Sequence, residues 1–362
     1  MQTTDASSYP LSAAFDLPKS PRPIVVIGAG GIMEEAHLPG YRKAGWKVQC
    51  IYDLRQDKAK RLADLFGIPE VHLTIEALIR HAPPGAIFDI AVPASRLISI
   101  LELLPAGANV MMQKPMGENL DAANAILRIC ESKGFTASVN FQMKLIPSII
   151  AAKNLIDQGA IGQLHDMEIR MNIHHPWELW DFLFGLPRME MLYHSIHYMD
   201  MIRYFLGMPK RVYAKTFQHP KQMQLASTRS VIIFDYDLPI RAFINTNHGH
   251  DFGIKHQDSF VKWEGDKGAI KATLGKNINF PKGEADHFEY FLSEQPQHGW
   301  ISAAIPGAWY PDAFIAAMAD LQCAVENPSS SHVTSVKNAY DTMRLAEAAY
   351  LSNDTGGMNI PE

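Results

Sequence analysis

The sequence predicts a two-domain protein of the α/β plus α+β class, with an N-terminal doubly wound parallel sheet and a C-terminal open, mostly antiparallel sheet. A glycine-rich turn, Gly28-Ala29-Gly30-Gly31, directly follows a short apolar strand. Strand-like and helix-like segments then alternate up to residue 145, which is typical of βαβ units. In the second half, strand-like runs follow one another with few helices between them, which favours antiparallel pairing. The length of 362 residues agrees with two domains at about 150 residues each.

Residues 23–145 are predicted to form the first domain, with five strands and five helices in alternation. The strands are short apolar runs at residues 24–27, 48–52, 87–92, 109–113 and 135–139. The helices lie between them at residues 34–44, 56–66, 75–81, 96–104 and 120–133. Gly67 and Gly134 follow two of these helices, where a glycine is expected to end the helix.

Residues 146–362 are predicted to form the second domain. Its predicted helices lie at residues 147–158, 189–206, 312–326 and 335–351. Its predicted strands lie at residues 164–173, 211–217, 230–236, 240–247, 259–264 and 269–273. The stretch 280–311 is rich in Gly, Pro and His, and we expect an irregular loop or lid there.

Residues 1–22 are predicted to form a mobile N-terminal arm. They lack the basic start and the continuous apolar run of a signal peptide. No stretch of about 18 apolar residues occurs anywhere in the chain, so we expect no membrane span.

The composition argues against a nucleic-acid partner and favours a cytoplasmic protein. Lys and Arg number 33 against 38 Asp and Glu, a formal net charge of −5, so there is no basic surplus to neutralise phosphates. The three cysteines, Cys50, Cys130 and Cys323, are far apart in sequence. They provide neither a disulfide framework nor a Cys-x-x-Cys metal pair, which is consistent with a reducing compartment.

The glycine turn predicts a dinucleotide site. Gly28, Gly30 and Gly31, followed by Ile32 and Met33, connect the first strand to the first helix. Glycines there allow the backbone to approach a pyrophosphate, and the helix N-terminus supplies N–H donors. Met33 occupies the position of the third glycine of the usual G-x-G-x-x-G pattern, so the motif alone is weak and depends on its context.

That context includes an acid at the end of the second strand. Asp53, 25 residues after Gly28, is placed to accept a hydrogen bond from an adenosine ribose hydroxyl and to repel a 2′-phosphate. We therefore predict NAD as the cofactor, with NADP disfavoured. Arg55, two residues later, is able to accommodate that phosphate and so weakens the preference. The alternative for this segment is a tight turn with a solvated Asp.

A lysine closes the apolar strand at 109–113. Gln113-Lys114-Pro115 lies at the carboxyl end of a predicted parallel strand, which is where ligands bind in such sheets. A partly desolvated lysine there can transfer protons or polarise a carbonyl. The alternative is a lysine that only extends from the strand edge towards solvent.

A histidine lies on the predicted helix at 189–206. The apolar residues of this helix repeat at helical spacing and form a core stripe: Leu192, Ile196, Met199, Ile202 and Leu206. Tyr193, His197 and Asp200 form an adjacent polar stripe. Beside a core stripe, a structural histidine is the ordinary expectation, and a catalytic one is the alternative.

In this order, the glycine turn, Asp53, Gln113-Lys114-Pro115 and His197-Tyr198-Met199-Asp200 resemble one family. It is the glucose–fructose oxidoreductase / inositol dehydrogenase / MocA (Gfo/Idh/MocA) family of nicotinamide-dependent sugar and polyol oxidoreductases. The resemblance covers nearly the whole chain after residue 22 and implies a Rossmann N-terminal domain. It implies that Lys114 is the lysine of the family's Glu-Lys-Pro motif and that His197 is the histidine of its Asp-x-x-x-His motif. It also implies that Pro93 and Gln142 contact the cofactor.

Two departures from the family pattern affect the acid–base residues. Gln113 replaces the usual glutamate, which removes a charge beside Lys114. Tyr193 replaces the aspartate four residues before His197. Tyr193 is a candidate to relay a proton or bind a sugar hydroxyl, and the alternative is that it packs against apolar neighbours.

A segment after the first long strand of the second domain suggests a sugar pocket. Trp177 and Trp180 offer apolar faces to sugar C–H groups, and His174 and His194 can bond hydroxyls. The alternative is a packed loop with buried aromatics. His194 with His197, and His248-Gly249-His250-Asp251, have spacings that a metal can use. Because the nicotinamide motifs supply the chemistry without a metal, we expect none.

Together these features predict NAD-dependent, reversible oxidation of a hydroxyl on a sugar, sugar acid or cyclic polyol. His197 takes the hydroxyl proton and Lys114 holds and polarises the oxygen, or the two exchange roles. One alternative is hydrolysis, elimination or epimerisation of a sugar with tightly bound, recycled NAD. Another is a non-catalytic protein that senses NAD or sugar. The resemblance further implies a homodimer or homotetramer that pairs through the open sheet of the second domain.

Overall fold

The computed structural model describes residues 9–358 and 360, and it divides into two compact units. The first comprises Phe15–Leu145 together with Ala308–Glu347. The second comprises Ile146–Gly307, with the described residues before Phe15 and after Glu347. The predicted boundary after residue 145 falls between the units, but Ala308–Glu347 belongs to the unit with the parallel sheet, not to the second domain as predicted.

The first unit contains a six-stranded parallel sheet in the order β3-β2-β1-β4-β5-β6. Its strands are β1 Ile24–Ile27, β2 Val48–Tyr52, β3 Glu70–Val71, β4 Ile87–Ile90, β5 Asn109–Met112 and β6 Thr136–Val139. Its helices are α1 Leu38–Ala44, α2 Gln56–Phe66, α3 Ile75–His81, α4 Leu97–Leu103 and α5 Leu120–Ser132. The strands β1, β4 and β5 are buried along their whole length, as expected for a sheet covered on both faces. The predicted doubly wound sheet is confirmed.

The first helix differs from its prediction. A π-helical turn, Met33–His37, precedes α1, so the predicted helix at 34–44 is two segments. This wider turn directs His37 into the protein interior, where its side chain is 1% exposed.

The second unit contains an eight-stranded, mostly antiparallel sheet in the order β14-β13-β12-β11-β7-β10-β9-β8. Only β7 and β10 pair in parallel within it. The strands are β7 Leu164–Asn172, β8 Arg211–Phe217, β9 Arg229–Asp235, β10 Arg241–Asn247, β11 Asp258–Gly265, β12 Gly268–Thr273, β13 His287–Leu292 and β14 Ile301–Ala303. Its helices are α6 Pro147–Asp157 and α7 Ile196–Leu206, and a π-helical turn, Glu190–Ser195, precedes α7. The predicted open antiparallel sheet is confirmed.

The prediction of an irregular loop or lid at 280–311 is wrong, because β13 and β14 lie there. Along β13, buried and more exposed residues alternate, with Phe288, Tyr290 and Leu292 buried. That period of two was present in the sequence, but the surrounding glycines and prolines outweighed it in the prediction.

Two helices follow the second sheet, α8 Phe314–Glu326 and α9 Val336–Thr355. Hydrogen bonds join residues 308–347 to the earlier part of the first unit, residues 15–145. The Arg22 amide donates to the Gln322 side chain at 2.7 Å, and the Lys144 ammonium donates to the Val333 carbonyl at 2.6 Å. No helix among the described residues is long and apolar enough to cross a membrane.

The predicted N-terminal arm is only partly described, since residues 1–8 lie outside the described chain. Backbone groups of the described part of the arm form hydrogen bonds with side chains from later in the chain. The Ser12 carbonyl accepts from the Asn154 amide at 2.7 Å within the second unit. The Lys19 amide donates to Glu326 at 3.0 Å within the first. These contacts differ from the mobile arm expected from composition alone.

Candidate active site

The glycine turn after β1 begins at Gly28, a position that only a residue without a side chain fits. Gly28 has φ +108°, and a Cβ atom there would lie 2.3 Å from the Ala91 carbonyl oxygen. The Gly28 amide donates to the Tyr52 carbonyl at 2.8 Å. At Gly30 an added Cβ would meet nothing within 4 Å, and Gly31 is exposed. A turn anchored on the sheet side and open on the other fits a pyrophosphate.

Asp53 is fixed directly beside this turn. The Ala29 amide donates to Asp53 Oδ2 at 2.6 Å, and the Arg55 amide donates to Oδ1 at 2.7 Å. Two backbone donors therefore orient the carboxylate, and each oxygen retains a further lone pair for a ribose hydroxyl. The Arg55 guanidinium is exposed and bonds to Asp57 at 3.0 and 3.1 Å. That pairing lowers the pKa of Asp57 and gives the guanidinium a carboxylate partner.

The other predicted cofactor residues occupy different environments. Met33 is fully buried, and its amide donates to the Gly30 carbonyl at 3.1 Å within the turn. Its side chain contributes to the core, and its contact with the cofactor stays a prediction. Ile32 is half-buried at the start of the helix, and Pro93 is exposed after β4. Gln142 is buried, and its Oε1 atom accepts no hydrogen bond from the described residues, as expected for an atom that a ligand completes.

Lys114 follows β5 at the carboxyl edge of the same sheet, as predicted. Its side chain is partly buried, and desolvation lowers the pKa of its ammonium to about 8. A lysine with this pKa exchanges its proton near neutral pH, which suits a general acid or base.

A buried polar network lies beside Lys114, and the sequence did not predict it. The Gln113 amide nitrogen lies 2.8 Å from His37 Nε2, and the Asn140 amide nitrogen lies 3.1 Å from the same atom. His37 Nδ1 lies 2.8 Å from Asp89, which also accepts from Tyr41 at 2.6 Å. Burial raises the pKa of Tyr41, and the adjacent Asp89 raises it further. Asp89, a charged residue within the apolar strand β4, is the feature of the sequence that could have indicated this network.

In the second unit, two members of the predicted polar stripe, His197 and Asp200, lie on α7. His197 is 6% exposed and Asp200 is 1% exposed. Arg203 lies 3.9 Å from Asp200 in an ion pair one helical turn on. Tyr193 lies in the π-helical turn before α7 and packs against a buried cluster that contains Trp177.

The predicted sugar-pocket residues separate into two groups. Trp177 is buried, Trp180 and His194 are partly buried, and all three lie around the ring of His175. His174 is exposed outside this group. His175 was not predicted, although its neighbour in sequence was.

His175, His194 and His248 bring their ring nitrogens within 4.8 Å of one another. His248 bonds through Nε2 to Glu190 at 3.1 Å, and Glu190 also accepts from Ser195 at 2.6 Å and from Ser230. Burial alone would raise the pKa of Glu190, but the bonds from His248, Ser195 and Ser230 lower it below its ordinary value. Glu190 was not predicted, and an acid within the apolar run Met189–Leu192 was its signal.

Comparison with known proteins identifies both units. Residues 22–141 match the model of the oxidoreductase family with an NAD-binding Rossmann fold. Residues 149–271 match the GFO/IDH/MocA C-terminal domain. The chain therefore carries an NAD-binding Rossmann domain.

Curated relatives cover different shares of the chain. The oxidoreductase YrbE of Bacillus subtilis is 27% identical over 75% of this chain and 78% of its own length. The putative oxidoreductase YceM of Salmonella typhimurium is 33% identical over 34% of this chain, which spans only 40% of YceM. D-apiose dehydrogenase of Rhizobium rhizogenes is 24% identical over 65% of this chain and 68% of its own length.

Among solved structures, an oxidoreductase from Agrobacterium radiobacter, in complex with NAD+, L-tartaric acid and magnesium, has the same fold. It is 20% identical, with a TM-score of 0.77 over 93% of this chain and 98% of that one. The two matched domain models, in this order along one chain, show that the protein belongs to the Gfo/Idh/MocA family of oxidoreductases.

Proposed function

We propose that the protein is an NAD-dependent dehydrogenase that reversibly oxidises a hydroxyl group on a sugar, sugar acid or cyclic polyol. The observation that carries this proposal is Lys114, a partly buried lysine of pKa about 8 at the carboxyl edge of an NAD-binding sheet. Relatives of the chain include a D-xylose dehydrogenase and a D-apiose dehydrogenase, which supports a carbohydrate substrate.

The cofactor choice rests on Asp53. Its carboxylate is fixed by the Ala29 and Arg55 amides, so it meets the adenosine ribose as a preorganised acceptor. A 2′-phosphate there would face a negative charge, and Arg55, which is already bonded to Asp57, offsets that repulsion poorly. Gly28, Gly30, Gly31 and Ile32 would hold the pyrophosphate, with Pro93 and Gln142 nearer the nicotinamide end. When bound, NAD supplies the acceptor for the hydride that leaves the substrate carbon.

The proton chemistry is assigned to Lys114 and His197. We assign His197 to take the hydroxyl proton and Lys114 to hold and polarise the same oxygen, and the reverse assignment gives the same balance. Tyr193, Trp177, Trp180, His174 and His194 complete the proposed substrate site. The half-buried tryptophan Trp180 offers a face to sugar C–H groups.

Two substitutions test the assignment. Lys114→Met and His197→Ala are expected to lower kcat by orders of magnitude while the dissociation constant for NAD stays unchanged. Lys47→Met and His165→Ala, at exposed positions, are matched controls that retain activity. The assay is a panel of pyranoses, pentoses, sugar acids and inositols with NAD and with NADP. Near-normal turnover in either test variant contradicts the assignment.

The same panel separates the alternatives. A purified protein with stoichiometric nucleotide and product formation without net NADH would indicate recycled NAD. Saturable binding of NAD and sugar without turnover would indicate a sensor.

We further propose a homodimer or homotetramer that pairs through the open face of the second sheet. Large apolar side chains project from its edge strand β8 and from the adjacent strand β9, and they are 41–55% exposed. They are Tyr213 and Phe217 on β8 and Val231 and Ile233 on β9. Tyr213 and Ile233 are direct cross-strand partners, so they form a continuous apolar patch.

A further inference from the structure

Three histidines from separate segments of the second unit converge on one point. His175 follows β7, His194 lies in the π-helical turn before α7, and His248 follows β10. One ring nitrogen of each lies within 4.8 Å of the others. The ring of His194 is 4.2 Å from that of His248 at 75°, and the His175 ring is nearly perpendicular to both. The three rings therefore meet edge to face and do not stack on one another.

His248 shows which of its atoms is available. The residue is fully buried, and its Nε2 bonds to the Glu190 carboxylate at 3.1 Å. A carboxylate can only accept, so Nε2 carries a proton, and in the neutral ring the lone pair lies on Nδ1. That Nδ1 atom is buried and has no hydrogen-bond partner among the described residues. Leaving such a buried acceptor unsatisfied is unfavourable, so an electron-pair acceptor is expected beside it.

The Glu190 carboxylate is held in place beside His248 by several hydrogen bonds. It accepts hydrogen bonds from Ser195 at 2.6 Å and from Ser230 as well as from His248. A carboxylate that bonds the far nitrogen of a histidine is the usual outer support of a metal-bound imidazole, because it fixes the tautomer and the ring orientation.

We propose that His175, His194 and His248 form a binding site for a divalent transition-metal ion of the zinc class. Three imidazole ligands suit Zn²⁺ and its neighbours in the first transition row, and they do not suit Mg²⁺ or Ca²⁺, which prefer oxygen. At Zn–N distances of about 2.0–2.1 Å, tetrahedral ligand atoms lie about 3.3 Å apart, so modest ring rotations would close the site. Three protein ligands leave one position for an oxygen ligand such as water.

The surroundings of the cluster favour metal binding. The His175 ring lies 4.9 Å from the Trp180 ring at 23° and 5.6 Å from the Phe280 ring at 12°. Stacking on these two aromatic rings fixes the orientation of His175. Trp177 lies 5.1 Å from the His248 ring. This apolar shell keeps competing water away from the imidazole nitrogens. The site departs from the expectation, based on sequence spacing, that no metal is bound, because His175 and His248 are brought together only by the parallel pairing of β7 with β10.

Cobalt titration tests the site directly. The full-length protein, stripped with a chelator, is titrated with Co²⁺ and followed by ligand-field absorption, with Zn²⁺ added afterwards to displace the Co²⁺. We expect one Co²⁺ per chain and full displacement by Zn²⁺. His248→Ala is expected to weaken Co²⁺ binding by at least about 100-fold, and Glu190→Gln by about 10–100-fold. His174→Ala, which removes the exposed neighbour of His175, is the matched control and keeps wild-type affinity.

The metal-site proposal is tested by metal binding alone, and no measurement of turnover is needed. Absence of saturable ligand-field bands in the wild-type protein overturns it, and this measurement does not depend on whether the variants fold. Equal loss in His174→Ala and His248→Ala also overturns it, because the metal would then bind elsewhere. Far-ultraviolet circular dichroism identifies a variant that has not folded, and His194→Gln then replaces it in the comparison. NAD affinity is measured in parallel, so failure of the metal site remains distinct from failure of the proposed dehydrogenase function.

Discussion

The side-chain amide nitrogen of Gln113 lies 2.8 Å from Nε2 of His37, in the interior of the first unit. An amide N–H can only donate, so His37 accepts there and presents its other nitrogen to Asp89. The Gln113 oxygen in turn accepts from the Lys114 amide at 3.1 Å. Gln113 therefore connects the buried ring of His37 to the backbone that carries the proposed catalytic lysine.

Replacing Gln113 with glutamate should change the titration of Lys114. Gln113→Glu introduces a negative charge one residue before Lys114, which favours the charged form of the ammonium and raises the Lys114 pKa above about 8. The limb of kcat/KM against pH that Lys114 sets, alkaline if its protonated form is active and acid if its deprotonated form is active, should move to higher pH. Gln163→Glu, an exposed amide-to-acid change, is the control. An unchanged profile in Gln113→Glu would show that Lys114 does not set this limb.

Lys114 should reduce stability while it serves catalysis. Its pKa in the folded state, about 8, lies below the ordinary value of about 10.4, so folding disfavours its protonated form. The cost is fully present below pH 8 and disappears as the pH rises towards 10.4. Lys114→Met should therefore raise the melting temperature by about 2–4 °C at pH 7, with a smaller difference at pH 10. Thermal unfolding at the two pH values measures this, and a difference that grows with pH would contradict it.

Asp53 should determine the cofactor preference. Asp53→Asn removes the charge and replaces one acceptor with a donor that faces the Ala29 or Arg55 amide. We expect NAD affinity to fall about 10-fold or more, since hydrogen bonds to charged groups contribute about 1.5–3 kcal/mol, while NADP affinity falls less. Fluorescence titration with both nucleotides measures the ratio. Asp64→Asn, at an exposed position on α2, is the control, and equal loss for both nucleotides would refute the assignment.

The open sheet face should hold the assembly together. Ile233→Glu places a charge among Tyr213, Val231 and Phe217, and burying it against a partner would cost several kcal/mol. Light scattering after gel filtration should then show monomers for the variant and a dimer or tetramer for the wild-type protein. Ile254→Glu, at a similarly exposed isoleucine outside the strands, should leave the mass unchanged. A monomeric wild-type protein would contradict the proposed assembly.

Local sequence patterns predicted most of the fold. The bounds of β1, β2, α2 and α3 follow from apolar periodicity and glycine caps that act within a few residues. The two-residue strand β3 was missed because its side chains provide too few positions for a pattern. The two π-helical turns were missed because helical periodicity does not distinguish the hydrogen bond to the fifth residue from that to the fourth.

The candidate site was predicted only where its residues are close in sequence. The glycine turn and Asp53 form one βαβ unit, and their relation follows from that unit's geometry. The pairing of Gln113 with His37 joins residues 76 positions apart, and that of His248 with Glu190 joins residues 58 positions apart. Such contacts depend on strand order and register, which no local window of sequence contains.

The return of Ala308–Glu347 to the first unit affects how the protein is made. The bond from the Arg22 amide to Gln322 spans 300 residues, and that from Lys144 to Val333 spans 189. A growing chain on the ribosome therefore cannot complete the NAD-binding unit until residues 146–307 have been synthesised. Until then the parallel sheet lacks α8. A shortened chain that ends near residue 307 would therefore expose to solvent the apolar surface that α8 buries.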